Sequence, residues 1–229
     1  MAHCCQVTDT CFTGCVWASA GYNVTILDPN AQQLLDGMAY IRENVESYAQ
    51  KTGQVPGTAL AFEDMPDAVA DAWLVIEAVP EKVQLKIDTF AELAVLTPDD
   101  CILASNSSFY KTSEILEKVP AATKTRILNM HYYMPPQCMI VELITDGYTE
   151  ERIFPFMVER SREAATLPYV ARKESTGFIF SRLLAAVKRE ALTILEEGVS
   201  IPEEIDSVWP IVYQFIRFIG SVHSEVSAD

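Results

Sequence analysis

Short runs of β-branched and apolar residues alternate along this chain with longer stretches of helical periodicity. Repeated strand–helix alternation leaves one favourable arrangement, a parallel sheet with helices on both faces. Val24-Thr25-Ile26-Leu27 is the first clear run and ends at Asp28. Pro29 to Gln50 comes next as a long helix, with Leu34, Leu35, Met38, Ile41 and Val45 at helical spacing, stopped by Lys51-Thr52-Gly53. Trp73 to Val79 reads as a second buried strand closed by Pro80, and Glu81 to Leu96 as an amphipathic helix. Further strands are expected at Cys101–Ser105, Arg126–His131, Met139–Ile144 and Pro168–Ala171, with a helix over Thr149–Ala165. After Lys173 the pattern becomes purely helical. Gly177 to Glu197 forms one strong helix with Gly198 as its stop, and Ser200-Ile201-Pro202-Glu203 opens another as a capping box. The boundary is placed near Ser175, giving an α/β domain over 1–174 and a helical piece over 175–229.

Composition narrows the partners. The 229 residues carry 17 Lys+Arg against 32 Asp+Glu, a formal net charge of −15. A phosphate-binding surface needs clustered cations, so nucleic acid is excluded as a partner, and so is a polybasic membrane anchor. No apolar run reaches the ~18 residues a membrane span requires. The most apolar late stretch, Val208 to Ile219, is broken by Pro210, Gln214 and Arg217. Met1-Ala2-His3-Cys4-Cys5-Gln6 lacks the charged and apolar regions of a secretory signal. Ser227-Ala228-Asp229 is no peroxisomal or retention tripeptide. A cytoplasmic protein is expected. The six cysteines, Cys4, Cys5, Cys11, Cys15, Cys101 and Cys138, form no C-x-x-C pair and read as intracellular thiols. A metal site on His3, Cys11 and Cys15 lacks a second ligand pair, so no metal is expected.

The first strand–turn–helix of such a sheet normally carries G-x-G-x-x-G, which lets the backbone approach a pyrophosphate at a helix N-terminus. An acidic residue about 20 positions later takes the ribose hydroxyls. Asp28 suits that role, and it also reads as an ordinary strand-end carboxylate. Counting back from Asp28, the fingerprint glycines should fall at Cys5, Val7 and Thr10, and none is glycine. The spacing is right, while Val7 would put a Cβ where backbone should meet phosphate. The helix expected over Cys11–Ala20, with its turn at Gly21, still fits.

Several ordered blocks resemble the L-3-hydroxyacyl-CoA dehydrogenase family. They are Ala20-Gly21-Tyr22-Asn23-Val24 with Leu27-Asp28, Val75-Ile76-Glu77-Ala78-Val79-Pro80-Glu81 with Lys86, and Ala104-Ser105-Asn106-Ser107-Ser108. His131-Tyr132-Tyr133-Met134-Pro135 resembles the family's H-F-F-N-P, with Val141-Glu142 after it. Ser175-Thr176-Gly177-Phe178-Ile179 with Arg182-Leu183 resembles the entry to the family's helical domain, and Glu196-Glu197-Gly198-Val199 and Glu204-Ile205-Asp206 match the next two helices of that domain. The resemblance implies a Rossmann-type, doubly wound, mostly parallel sheet leading into a short, incomplete helical domain. It implies NAD as cofactor and a CH–OH oxidation, on an acyl-CoA of fatty acid metabolism or on a small hydroxy acid. A homodimer is typical of the family. Here the helical domain reads as truncated after Asp206, so most of the dimer face is expected to be missing.

The chemistry can also be argued from the residues. Oxidising a secondary alcohol removes the hydroxyl proton as hydride leaves, a task for a histidine of near-neutral pKa. His131 ends a strand, and Glu142 sits 11 residues later in an otherwise apolar run, where a lone carboxylate needs a partner. They read as base and orienter; a Glu142 satisfied by backbone donors is the plainer alternative. The resemblance makes Ser108 the serine that bonds the substrate oxygen beside the nicotinamide; it also reads as a cap or turn serine. Asn106 becomes a turn residue beside the cofactor. Glu81 and Lys86 fall near the nicotinamide ribose, or else on a solvated helix face. Ser181 stands where the family has an asparagine that positions the substrate carbonyl, and Met134 replaces the asparagine of H-F-F-N-P.

Three readings are open at this point. The first is a nicotinamide dehydrogenase of this family. The second is a degenerate, non-catalytic relative that has lost its nucleotide loop. The third is a redeployed biosynthetic enzyme that keeps the pocket but performs redox-neutral chemistry.

Overall fold

A computed structural model describes residues 2–5 and 7–213, with side chains from 11 to 211. Elements run β1 (Ala2–Cys5), α1 (Val7–Ser19), β2 (Val24–Leu27), α2 (Ala31–Thr52), β3 (Ala59–Phe62), α3 (Met65–Val69), β4 (Leu74–Glu77), α4 (Val83–Leu96) and β5 (Ile102–Ser105). A 3-10 turn at Thr112–Ile115 and α5 (Ala121–Lys124) lead to β6 (Ile127–Met134), β7 (Cys138–Thr145), α6 (Ile153–Glu163) and β8 (Leu167–Ala171). Two helices close the described chain, α7 (Ile179–Glu196) and α8 (Pro202–Tyr213). The strand order is β3-β2-β1-β4-β5-β6-β7-β8. All pairings are parallel except β6 with β7. This is the doubly wound Rossmann-type sheet expected, extended by one antiparallel turn.

Every residue of β2, β4 and β5 is buried, which is why these strands read as unbroken apolar runs without alternation. Two strands escape that signal. β1 contains no β-branched residue, and β3 is a half-exposed edge strand of sequence Ala-Leu-Ala-Phe. Helix starts shift for local reasons. α2 begins at Ala31 rather than Pro29 because Asn30 is its cap, its side chain accepting from the Gln32 and Gln33 N–H groups at 3.0 and 3.2 Å. Gly53 ends it with φ 67°. β1 ends at Cys5 and α1 starts at Val7, so the strand-to-helix passage lies where the fingerprint count placed it, and the helix begins four residues before Cys11.

α1 packs tightly against the sheet and α2. A Cβ on Gly14 would lie 3.0 Å from the terminal methyls of both Ile26 and Ile41. That contact leaves no room for a branched side chain.

The chain divides into two compact units, Met1–Ile179 and Phe180–Asp229, the break falling in the first turn of α7. In the second, Gly198 (φ 68°) terminates α7 as expected. Ser200 bonds Glu204 at 2.7 Å rather than Glu203, because Pro202 is the first helical residue of α8 and shifts the frame by one. Among the described residues no helix is long and apolar enough to cross a membrane.

Gly14→Val is expected to destabilise the protein by about 1–3 kcal/mol through overpacking. Urea unfolding with unchanged far-UV circular dichroism measures it; an unchanged midpoint would show that α1 is not held by this contact.

Candidate active site

The carboxyl ends of β4, β5 and β6 converge on one buried hydrogen-bond network. Glu77, the last residue of β4, is fully buried. Its Oε1 accepts from Lys86 Nζ at 2.8 Å and from the Val79 N–H at 2.7 Å, and its Oε2 accepts from Ser105 Oγ at 2.8 Å. Burial pushes the Glu77 carboxyl above the usual range, opposed by the Lys86 charge and these hydrogen bonds. Lys86 is 1% exposed and also donates to the Val79 carbonyl at 3.0 Å. The solvated-face alternative for Lys86 is therefore corrected: α4 turns this lysine inward to neutralise Glu77.

The network fixes the loop after β5. Asn106 N–H donates to the Glu77 carbonyl at 2.8 Å, and its side-chain oxygen accepts from the Tyr132 N–H at 2.9 Å. Glu81, which is exposed, accepts from Ser107 Oγ at 2.9 Å and from the Ser108 N–H at 2.8 Å, with Lys86 Nζ 3.7 Å from its other oxygen. Asn129 on β6 holds the Ser107 carbonyl at 3.0 Å. So held, Ser108 Oγ lies 3.0 Å from His131 Nε2. Ser107, not Ser108, is the turn serine, its Oγ accepting the Tyr110 N–H at 3.1 Å.

His131 on β6 faces Glu142 directly across the antiparallel ladder to β7. Its ring is largely buried between Tyr133 and Phe178, each with centroid 4.8 Å away. Glu142 is 1% exposed. One of its oxygens accepts from the Tyr133 hydroxyl and the other from the Ile179 N–H at 2.7 Å. Ser108 and His131 open onto a cavity of about 320 Å³, lined also by Phe12, Thr13, Asn106, Tyr132, Tyr133, Met134 and Pro135.

Asp28 stands apart from this cluster, at the carboxyl end of β2. It is 1% exposed, with Oδ1 accepting the Asn30 N–H at 2.7 Å. Among the described residues its Oδ2, which is buried, has no hydrogen-bond partner. Ser181 lies half-buried in the second unit. Cys11 and Cys15 pack into the core, and burial pushes the Cys15 thiol up to about 12, which disfavours a thiolate ligand.

Sequence reading missed Glu77, Ser107, Tyr133 and Phe178. Glu77 carried a usable signal, the same one that singled out Glu142: one carboxylate in an otherwise apolar strand. Tyr133 carried a faint one, a hydroxyl where the H-F-F-N-P pattern has phenylalanine, and Phe178 carried none, since a lone aromatic residue is ordinary core.

The doubly wound sheet thus brings a serine, a histidine and a carboxylate together beyond β5 and on the neighbouring β6 and β7. The chain matches known proteins. The model of the 3-hydroxyacyl-CoA dehydrogenase NAD binding domain matches residues 13–174, and that of the family's C-terminal domain matches 177–213. The chain belongs to the 3-hydroxyacyl-CoA dehydrogenase family. It is 33% identical over 167 residues to 5-formyl-3-hydroxy-2-methylpyridine 4-carboxylate 5-dehydrogenase of Mesorhizobium japonicum, covering 72% of this chain and 53% of that protein. It is 32% identical over 193 residues to L-carnitine dehydrogenase of Nocardiopsis dassonvillei, covering 81% and 57%. A solved structure of the former activity, described as an NAD+ dependent dismutase, superposes with TM-score 0.84 at 25% identity, over 99% of this chain and 78% of that one. The chain thus spans a little over half the length of these two curated relatives.

Lys86→Met would leave Glu77 buried without its counter-charge. A loss of about 3–5 kcal/mol in unfolding free energy is expected. Denaturant titration measures it, and a loss below about 1 kcal/mol would show that Glu77 is held without the lysine.

Proposed function

We propose that this chain binds NAD along the carboxyl edge of its sheet and oxidises the CH–OH group of a 3-hydroxyacyl-CoA or a related small 3-hydroxy acid. The observation that carries the cofactor reading is the orphaned Asp28 Oδ2. A buried carboxylate oxygen without a donor costs about 1–3 kcal/mol or more, and a ribose hydroxyl is the donor this position of the fold supplies. NAD, when bound, supplies the hydride acceptor.

In this reading His131 Nε2 takes the substrate hydroxyl proton. Ser108 Oγ, 3.0 Å from that nitrogen, holds the same oxygen in line and steadies the charge it develops. Glu142, across the ladder, orients the ring and stabilises the imidazolium that forms. Tyr133 and Phe178 exclude water from the ring. Oxidation requires unprotonated His131 and so speeds up as pH rises through its titration; the reverse reduction requires the imidazolium and slows. Asn106 and Glu81 act on Ser108 by fixing its loop, and Lys86 acts on both through Glu77 and Glu81.

One observation favours the nucleotide-free alternatives: Cys5, Val7 and Thr10 at the three fingerprint positions. Calorimetric titration with NAD+ separates the readings. Saturable binding is expected, weakened about tenfold or more in Asp28→Ala, consistent with loss of a hydrogen bond to a charged group. Binding indifferent to the substitution removes the ribose assignment. No binding up to millimolar nucleotide by a folded protein removes the dehydrogenase reading.

A further inference from the structure

Glu142 does not face His131 alone. One oxygen receives the Tyr133 hydroxyl, and the other receives the first N–H of α7, from Ile179, at 2.7 Å. The tyrosine stands two residues beyond His131 on the same face of β6, where the family pattern H-F-F-N-P has a phenylalanine that can donate nothing. From these contacts we infer that Tyr133 is a positioning residue, whose hydroxyl draws charge from Glu142 and thereby sets how strongly His131 holds its proton. This inference rests on the proposed roles of His131 and Glu142.

The physical grounds are direct. A carboxylate that accepts charge-assisted hydrogen bonds spreads its charge toward the donors and offers less of it to a third neighbour. Glu142 is buried, so water does not redistribute that charge. Other groups also approach His131. The Ser108 hydroxyl approaches from the loop after β5, with the Glu81 carboxylate behind it on the Ser108 N–H. Phe12 and Thr13 of α1 share the cavity, and Phe178 packs on the ring; none of the three is charged. Glu142 is the charged group directly opposite His131 in the ladder, and Tyr133 is bonded to it.

Removing the hydroxyl returns charge to the face Glu142 presents to His131. The imidazolium is then better stabilised, and the histidine gains its proton at higher pH. The test is an NMR titration of the histidine ring signals in the full chain. The chain holds three histidines, so His131→Asn assigns the signal against His3 and His223. Tyr133→Phe is expected to raise the His131 midpoint by about half a unit to one unit. Glu142→Gln removes the charge through which the tyrosine acts. In that background Tyr133→Phe is expected to leave the midpoint where Glu142→Gln puts it. An unchanged or lowered midpoint in Tyr133→Phe overturns the inference. So does an upward shift that survives Glu142→Gln, because it would show the tyrosine ring acting on His131 directly. The titration needs neither cofactor nor turnover, so it can fail while the dehydrogenase reading stands, or succeed where that reading fails. If the chain turns over, the acid limb of the oxidation profile moves to higher pH by the same amount in Tyr133→Phe, a shift that a purely structural loss would not produce.

Discussion

A buried ion pair holds the candidate site in register. Glu77 and Lys86 lie almost entirely out of water, and the carboxylate is shared among an ammonium, a backbone N–H and a serine hydroxyl. An ion pair at this depth adds little net stability compared with apolar packing, because both charges must be desolvated. Its contribution is placement. Glu77 holds Ser105 by its side chain and Asn106 by its main chain, and Lys86 reaches toward Glu81, which in turn fixes Ser107 and Ser108. The Ser108 hydroxyl that meets His131 is reached through this chain of contacts.

The second constraint is the antiparallel return of β7 against β6. In a wholly parallel sheet the residue beside His131 would come from a crossover connection of a dozen or more residues. The tight return instead pairs His131 with Glu142 in the same ladder. It also puts Tyr133 on the same side, so a histidine, a tyrosine and a carboxylate share one face of two adjacent strands. The Ile179 N–H also donates to this carboxylate.

Much of this was legible in the sequence. The buried strands β2, β4 and β5 were visible because parallel strands covered on both faces are apolar at nearly every position. His131, Ser108 and Glu142 stand out by motif and by the isolation of a carboxylate in an apolar run, and the fold brings these candidates to one place. β3 was missed because an edge strand need not be apolar or β-branched. Lys86 was given two meanings since helical spacing alone does not say which face of α4 turns inward. Tyr133 departs from the H-F-F-N-P pattern in sequence, but what its hydroxyl meets depends on the cross-strand register of β6 and β7 and not on its neighbours in sequence.

The central claim is that a dinucleotide occupies the sheet edge beside His131. Its most direct test is to monitor the His131 ring resonance while NAD+ is added. The account predicts a saturable change of that signal, tracking nucleotide occupancy. A His131 signal that stays fixed up to millimolar NAD+, in protein that remains folded, would contradict it.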